Sequence, residues 1–204
     1  MPDPNDVIVD EVILREIPRE SRVIDLGCGN GRLLTRLRDD LNCSVLGVEL
    51  DDANFKTGIS RGLPVLNIDL DENLADVPSD SFEWAILSET LQEVRHPKTL
   101  VMEMMRIARR AIIVVPNFAQ WKIRWEILKS GRTPVNSSFP FAWYDTPNLH
   151  FMSLYDFRDL VDELGLHIVK EMPIIKGKAV ERAWLANILA ESGFFVVERS
   201  EKTS

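Results

Sequence analysis

The chain has 204 residues, 45% hydrophobic and 27% charged, with a net charge of −8. That length suits one domain with a substantial core, the composition is globular, and no apolar run approaches the roughly 20 residues of a membrane helix. An acidic chain repels nucleic acid unless its cations gather on one face. The two candidate clusters, Lys122/Arg124/Lys129/Arg132 and Arg106/Arg109/Arg110, lie on amphipathic patterns and read as solvated helix faces, so nucleic acid is not an expected partner.

In chain order, Val9, Ile13 and Ile17 recur every four residues and predict an amphipathic helix over 7–17 that ends near Pro18. A short apolar strand, 22–26, runs into a glycine turn, and Leu33, Leu34, Leu37 and Leu41 then mark a helix over 32–41. A second strand is predicted at 44–48. The helix after it, 51–61, is capped by Asp51 or Asp52 and stopped by Gly62. A third strand follows at 63–68 and a fourth at 82–87. The helix 97–109 begins with a proline in its first turn, where the missing N–H costs little, and leads to an all-apolar fifth strand, 111–115. Five alternations of short apolar strand and helix predict a doubly wound, mostly parallel α/β sheet, with its ligand at the carboxyl edge.

The remainder has a different character. Residues 117–151 are rich in aromatics and contain no clear strand; Phe118, Trp121, Trp125 and Leu128 fall on one helical face. This insertion is expected either to close over the ligand as a lid or to form a partner surface, with Trp121, Trp125, Trp143, Tyr144 and His150 as its candidate residues. Ser153 and Asp156 form a capping-box pattern at the head of a helix over 153–164, which Gly165 follows. Strands at 167–171 and 194–198 bracket a helical pattern at 179–190. The whole chain, 1–204, reads as a single domain.

Cys28 and Cys43 have no metal-like spacing and read as reduced, packed thiols; His96, His150 and His167 are scattered. No metal is expected. The amino-terminal stretch MPDPNDVIVDEV is acidic and lacks a basic-then-apolar leader, which predicts a cytoplasmic protein.

The chemistry is concentrated in VIDLGCGNGRL, residues 23–33. Gly27 and Gly29 suit the dinucleotide pattern G-x-G-x-x-G, but the third glycine comes one residue early and Arg32 takes its place. No Lys-Ser or Lys-Thr follows, so a P-loop is not formed either. Asp25 would place negative charge beside the ligand, unfavourable next to a pyrophosphate and favourable next to an amine or sulfonium. Glu49 ends the second strand, 20 residues past Gly29, where an acid takes up ribose hydroxyls. Asp69 ends the third, where a carboxylate can accept from an adenine amine while Leu70 offers a backbone N–H and an apolar face. Amino-acid moiety, ribose and adenine, in that order, are the parts of S-adenosyl-L-methionine.

At these residues the chain resembles the class I S-adenosylmethionine-dependent methyltransferases and, more narrowly, the MetW family of methionine biosynthesis proteins. The resemblance rests on VIDLGCGNGRLL (23–34), GVELD (47–51), the stretch 61–94, RRAIIVVPNFAQWKIR (109–124) and FAWYDTPNLHFMS (141–153). It implies a seven-stranded, Rossmann-like sheet with its last strand antiparallel. The candidate cofactor residues are Asp25, Gly27, Cys28, Gly29, Gly31, Glu49, Leu50, Asp69, Leu70 and Ser88, for S-adenosyl-L-methionine or S-adenosyl-L-homocysteine. It also implies a role in methionine biosynthesis and homoserine O-acyltransferase as partner, the family acting as its activator; a methyltransferase active on a small molecule is the alternative. The catalytic residues are not assigned. Glu89 reads as a base or an exposed glutamate at a helix start, and His150 as a catalytic group or a loop anchor.

Overall fold

The computed structural model describes residues 4–72, 74–136, 139–181 and 183–200. Its elements are α1 (Pro4–Glu16), β1 (Arg22–Leu26), α2 (Arg32–Leu41), β2 (Ser44–Val48), α3 (Asp52–Ser60), β3 (Val65–Leu66), β4 (Phe82–Ser88) and α4 (Pro97–Ile107). They continue with β5 (Ala108–Pro116), α5 (Trp121–Ser130), α6 (Leu154–Glu163), β6 (Leu166–Ile175), β7 (Lys178–Ala179), α7 (Ala186–Leu189) and β8 (Ser192–Arg199). One sheet runs in the order β3-β2-β1-β4-β5-β8-β6-β7. The first five strands are mutually parallel, and β8 lies antiparallel between β5 and β6. The expected seven strands with an antiparallel last strand are present. An eighth, β7, is a two-residue addition that turns back on β6 through Gly177, whose φ of 67° suits glycine.

Side-chain alternation explains why both faces are covered. In β1, Ile24 and Leu26 face α4 and α6, whereas Val23 faces α1 and α2; β4, β5 and β8 repeat this, with Phe195 to one side and Phe194 to the other. Asp25 has the parity of Val23. It is therefore directed toward the α1–α2 face.

Three predicted elements are shorter than expected. The third strand keeps only Val65–Leu66, because the Asn67 amide turns aside to donate to the main-chain oxygens of Glu49 (2.8 Å) and Leu50 (3.1 Å). Asp69 consequently lies in the following turn, not at a strand end. The helical pattern at 179–190 yields a four-residue helix, since β7 takes its beginning. The helix expected to reach 109 stops at Ile107, where β5 begins and carries Ala108 into register opposite Phe82. Elsewhere the caps are as read: Asp51 accepts from Asn54 N–H, and Ser153 with Asp156 completes the capping box of α6.

Candidate functional site

The glycine turn between β1 and α2 holds three left-handed residues, Gly27 (φ 79°), Gly29 (53°) and Gly31 (76°). Two of these positions admit no side chain for steric reasons as well. A Cβ on Gly27 would lie 2.6 Å from Thr90 Oγ1, and one on Gly31, 2.3 Å from Leu63 Cδ1. The turn therefore approaches the β4 loop and the α3–β3 corner more closely than any other residue would allow.

The amides of its three glycines and of Cys28 are already occupied. Gly27 and Cys28 N–H donate to Val48 O (2.8 and 3.0 Å), and Gly31 N–H to Cys28 O (3.0 Å). Gly29 N–H donates to Glu49 Oε2 (2.7 Å), whose second oxygen accepts from Asp51 N–H (2.8 Å). Glu49 thus ties two loops together, and each of its oxygens has a lone pair left for a hydroxyl donor. Such a turn is not a nest of amides waiting for phosphate.

Two cavities lie along this edge and share Gly27 and Asn54. The first, about 310 Å³, is walled by Asp10, Asp25, Cys28, Arg32, Ser88 and Glu89. The second, about 510 Å³, is walled by Glu49, Leu50, Asp69, Leu70, Asp71 and Glu93, among others. Every candidate cofactor residue except Gly31 therefore lines one cavity or the other. Gly31 caps the start of α2 instead.

The electrostatics are those of a site for cations. Asp25 is 3% exposed, and its carboxyl is pushed up to about 7 by burial, then by the Asp10 and Glu49 carboxylates, with Arg32 opposing. The Cys28 thiol is pushed up to about 12 by burial, then by the Asp25 and Glu49 carboxylates, and stays protonated. Burial also raises Glu93, with Glu49 adding to the effect. Asp69 accepts from Asp71 N–H (2.9 Å), and Asp71 in turn accepts from Arg95 and His96 N–H, which fastens the loop after β3 to the start of α4.

Asp10 is the residue that sequence reasoning missed. It is 3% exposed on α1, pairs with Arg32, and reaches the first cavity from outside the glycine motif. The available signal was an acid set among Val9, Val12 and Ile13 on the buried face of an amphipathic helix. Glu89 starts no helix. It stands exposed at φ 52° on the wall of the first cavity, a left-handed conformation that costs a residue with a side chain about 1 kcal/mol or more.

The insertion is placed differently. Among its described residues, only Pro147 reaches the second cavity; Trp121, Trp125, Trp143, Tyr144 and His150 line neither. His150 instead anchors the loop, since its N–H and that of Leu149 donate to Gln92 O (3.0 and 2.8 Å), while its Nε2 is buried without a hydrogen-bond partner. In α5 the inward residue is Ile123, and the Trp121/Trp125/Leu128 face is turned to solvent. Lys122, Arg124 and Lys129 are exposed on α5, but the second cluster is not a helix face: Arg109 and Arg110 lie on β5, Arg106 holds Glu103 and the main chain at Leu74 and Val77, and Arg110 pairs with Glu198 over Trp84. No helix among the described residues is long and apolar enough to cross a membrane.

Comparison with known proteins agrees with this architecture. An S-adenosylmethionine-dependent methyltransferase of Mesorhizobium loti superposes with a TM-score of 0.68 at 16% identity, over 96% of this chain and 100% of the other. The magnesium protoporphyrin IX methyltransferase of Synechocystis PCC 6803, solved with bound S-adenosylhomocysteine, gives 0.61 at 16% identity, over 97% and 81%. In sequence, the bifunctional methionine biosynthesis protein MetXA/MetW of Rhodopirellula baltica is 34% identical over 98% of this chain. The chain spans about a third, 34%, of that relative's length. The family description "Methionine biosynthesis protein MetW" matches residues 9–197, and the chain is a member of that family.

Proposed function

We propose that the chain binds S-adenosylmethionine along this edge and acts in methionine biosynthesis as an activating partner of homoserine O-acyltransferase. One observation carries the ligand reading: the amides of Gly27, Cys28, Gly29 and Gly31 are occupied by Val48, Cys28 and Glu49, while the cavities beside them are walled by carboxylates. That donor set suits a cationic ligand and disfavours a pyrophosphate. In this reading Asp25 and Asp10 take the ammonium, Arg32 the carboxylate, Glu49 the ribose hydroxyls and Asp69 the adenine amine. Leu50 and Leu70 supply apolar walls to the ring, and Cys28 and Ser88 close the space near the sulfonium. The partner reading is supported by the Rhodopirellula relative, whose name joins MetXA and MetW in one chain.

A protein that binds a product made from methionine can report methionine supply to an earlier step, provided the donor has different affinities for two states of the complex. The test is the acyltransferase rate of the reconstituted pair across the full range of donor saturation. A donor-dependent change supports the reading; a flat response with bound donor contradicts the sensing role.

A second reading, methyl transfer to a small molecule, is favoured by Glu89, held left-handed on the cavity wall where a base could take an acceptor's proton. Incubation of labelled donor with protein and cell extract tests it; absence of labelled product despite donor binding counts against it.

A further inference from the structure

Half of the large apolar side chains that stand exposed among the described residues fall within 117–151, a short part of the chain. The segment is not loose. Phe118 packs on Phe139 and Phe151 (ring centroids 5.4 and 4.7 Å apart), the Asn117 amide donates to Asn187 O and Ala190 O, and Gln92 O holds the backbone at Leu149 and His150. Beneath is an anchored base; above it Trp125 is 60% exposed, Leu128 78%, Trp143 71% and Tyr144 70%. These side chains line neither cavity. Rings fixed outward on an ordered base are characteristic of an interface, where aromatic anchors dominate binding and preorganisation lowers the entropy lost.

We propose that this outward aromatic face, centred on Trp125 and Leu128 of α5, is where the acyltransferase subunit docks; the proposal rests on the partner reading above. Exposed Lys122, Arg124 and Lys129 flank the rings on a chain whose net charge is −8, so the complementary surface has apolar recesses ringed by carboxylates. In a two-fold contact with a second copy, these cations would meet their own kind, which disfavours self-association through α5. The rest of an acidic chain is repelled by anionic lipid. In the Rhodopirellula relative, a covalent link holds the two named parts at high effective concentration. The insertion that carries this face also reaches the cavities: Pro147 lines the second, and Gln92, which holds Leu149 and His150, donates its amide to Glu89 O on the first.

The test is calorimetric titration of the acyltransferase from the same organism into the parent protein and into Trp125→Asp and Leu128→Asp. Met102→Asp, at an exposed position on α4, is the control. The face predicts at least a 100-fold loss of affinity for the first two, none for Met102→Asp, and unchanged circular dichroism and S-adenosylmethionine binding in all three. Variants that bind as tightly as the parent overturn the assignment. A parent dimer that Trp125→Asp converts to monomer, or loss of binding to phosphatidylserine vesicles with the complex intact, overturns it in favour of a second copy or a membrane. If the parent itself fails to bind the acyltransferase, the partner reading falls, and the docking proposal with it.

Discussion

The strand edge and the insertion solve opposite problems. At the edge, Asp10, Asp25 and Glu49 are drawn into the protein, and two of them have their charge met by Arg32 or by backbone N–H groups. In the insertion, tryptophan and leucine side chains are pushed out from a base held by the Phe118, Phe139 and Phe151 rings. Buried charge and exposed aromatics are each unfavourable in an isolated protein, and the proposed ligand and partner would account for each. The comparison predicts that substitutions at the edge damage the isolated protein, while those on the aromatic face damage only its association.

The largest effect is expected at Glu49. Glu49→Ala leaves Gly29 and Asp51 N–H without their acceptor and should lower stability by about 2–3 kcal/mol in urea titration, with donor binding weakened at least about 100-fold. Arg32→Met should follow, at about 2 kcal/mol, because Asp10 is buried and loses its ion pair; the figure is discounted for the partly exposed guanidinium. It should also raise the Asp25 pKa further, since Arg32 is the group that opposes the shift.

A pH effect of intermediate size follows from Asp25 itself. Its carboxyl titrates near 3.8 when unexposed to these neighbours and near 7 in the fold, so the folded state holds the extra proton between those values. The stability contributed by Asp25 is complete below 3.8 and is lost as pH rises through 7. An ammonium ligand favours the ionised form, so donor affinity should rise by up to about tenfold from pH 6 to pH 8. Asp25→Asn should flatten both profiles, read by calorimetry and by thermal melts. The smallest effect belongs to the other region. Trp125→Ala and Leu128→Ala should leave the isolated protein within about 0.5 kcal/mol of the parent. A large loss of stability there would dissolve the contrast.

The parts legible in the sequence were those set by local rules. The short apolar runs of β1, β4 and β5, the glycine turn, and the Asp51 and Ser153 caps depend on neighbours a few positions away. Glu49 was legible because its distance from Gly29 reflects one strand-helix-strand unit. What stayed hidden depends on long-range geometry. Asp10 meets Arg32 only because α1 packs on α2, and the direction in which α5 presents its rings is set by Ile123 and by the phenylalanine cluster beneath, not by its own periodicity. The truncated third strand depends on one side chain, Asn67, competing for the main chain of the β2 loop.

The most direct test of the account is calorimetric titration of S-adenosylmethionine and of NAD into the purified protein at pH 8. The carboxylate-walled edge predicts saturable, single-site binding of S-adenosylmethionine and none of NAD. Binding of NAD, or no heat from S-adenosylmethionine, would contradict it.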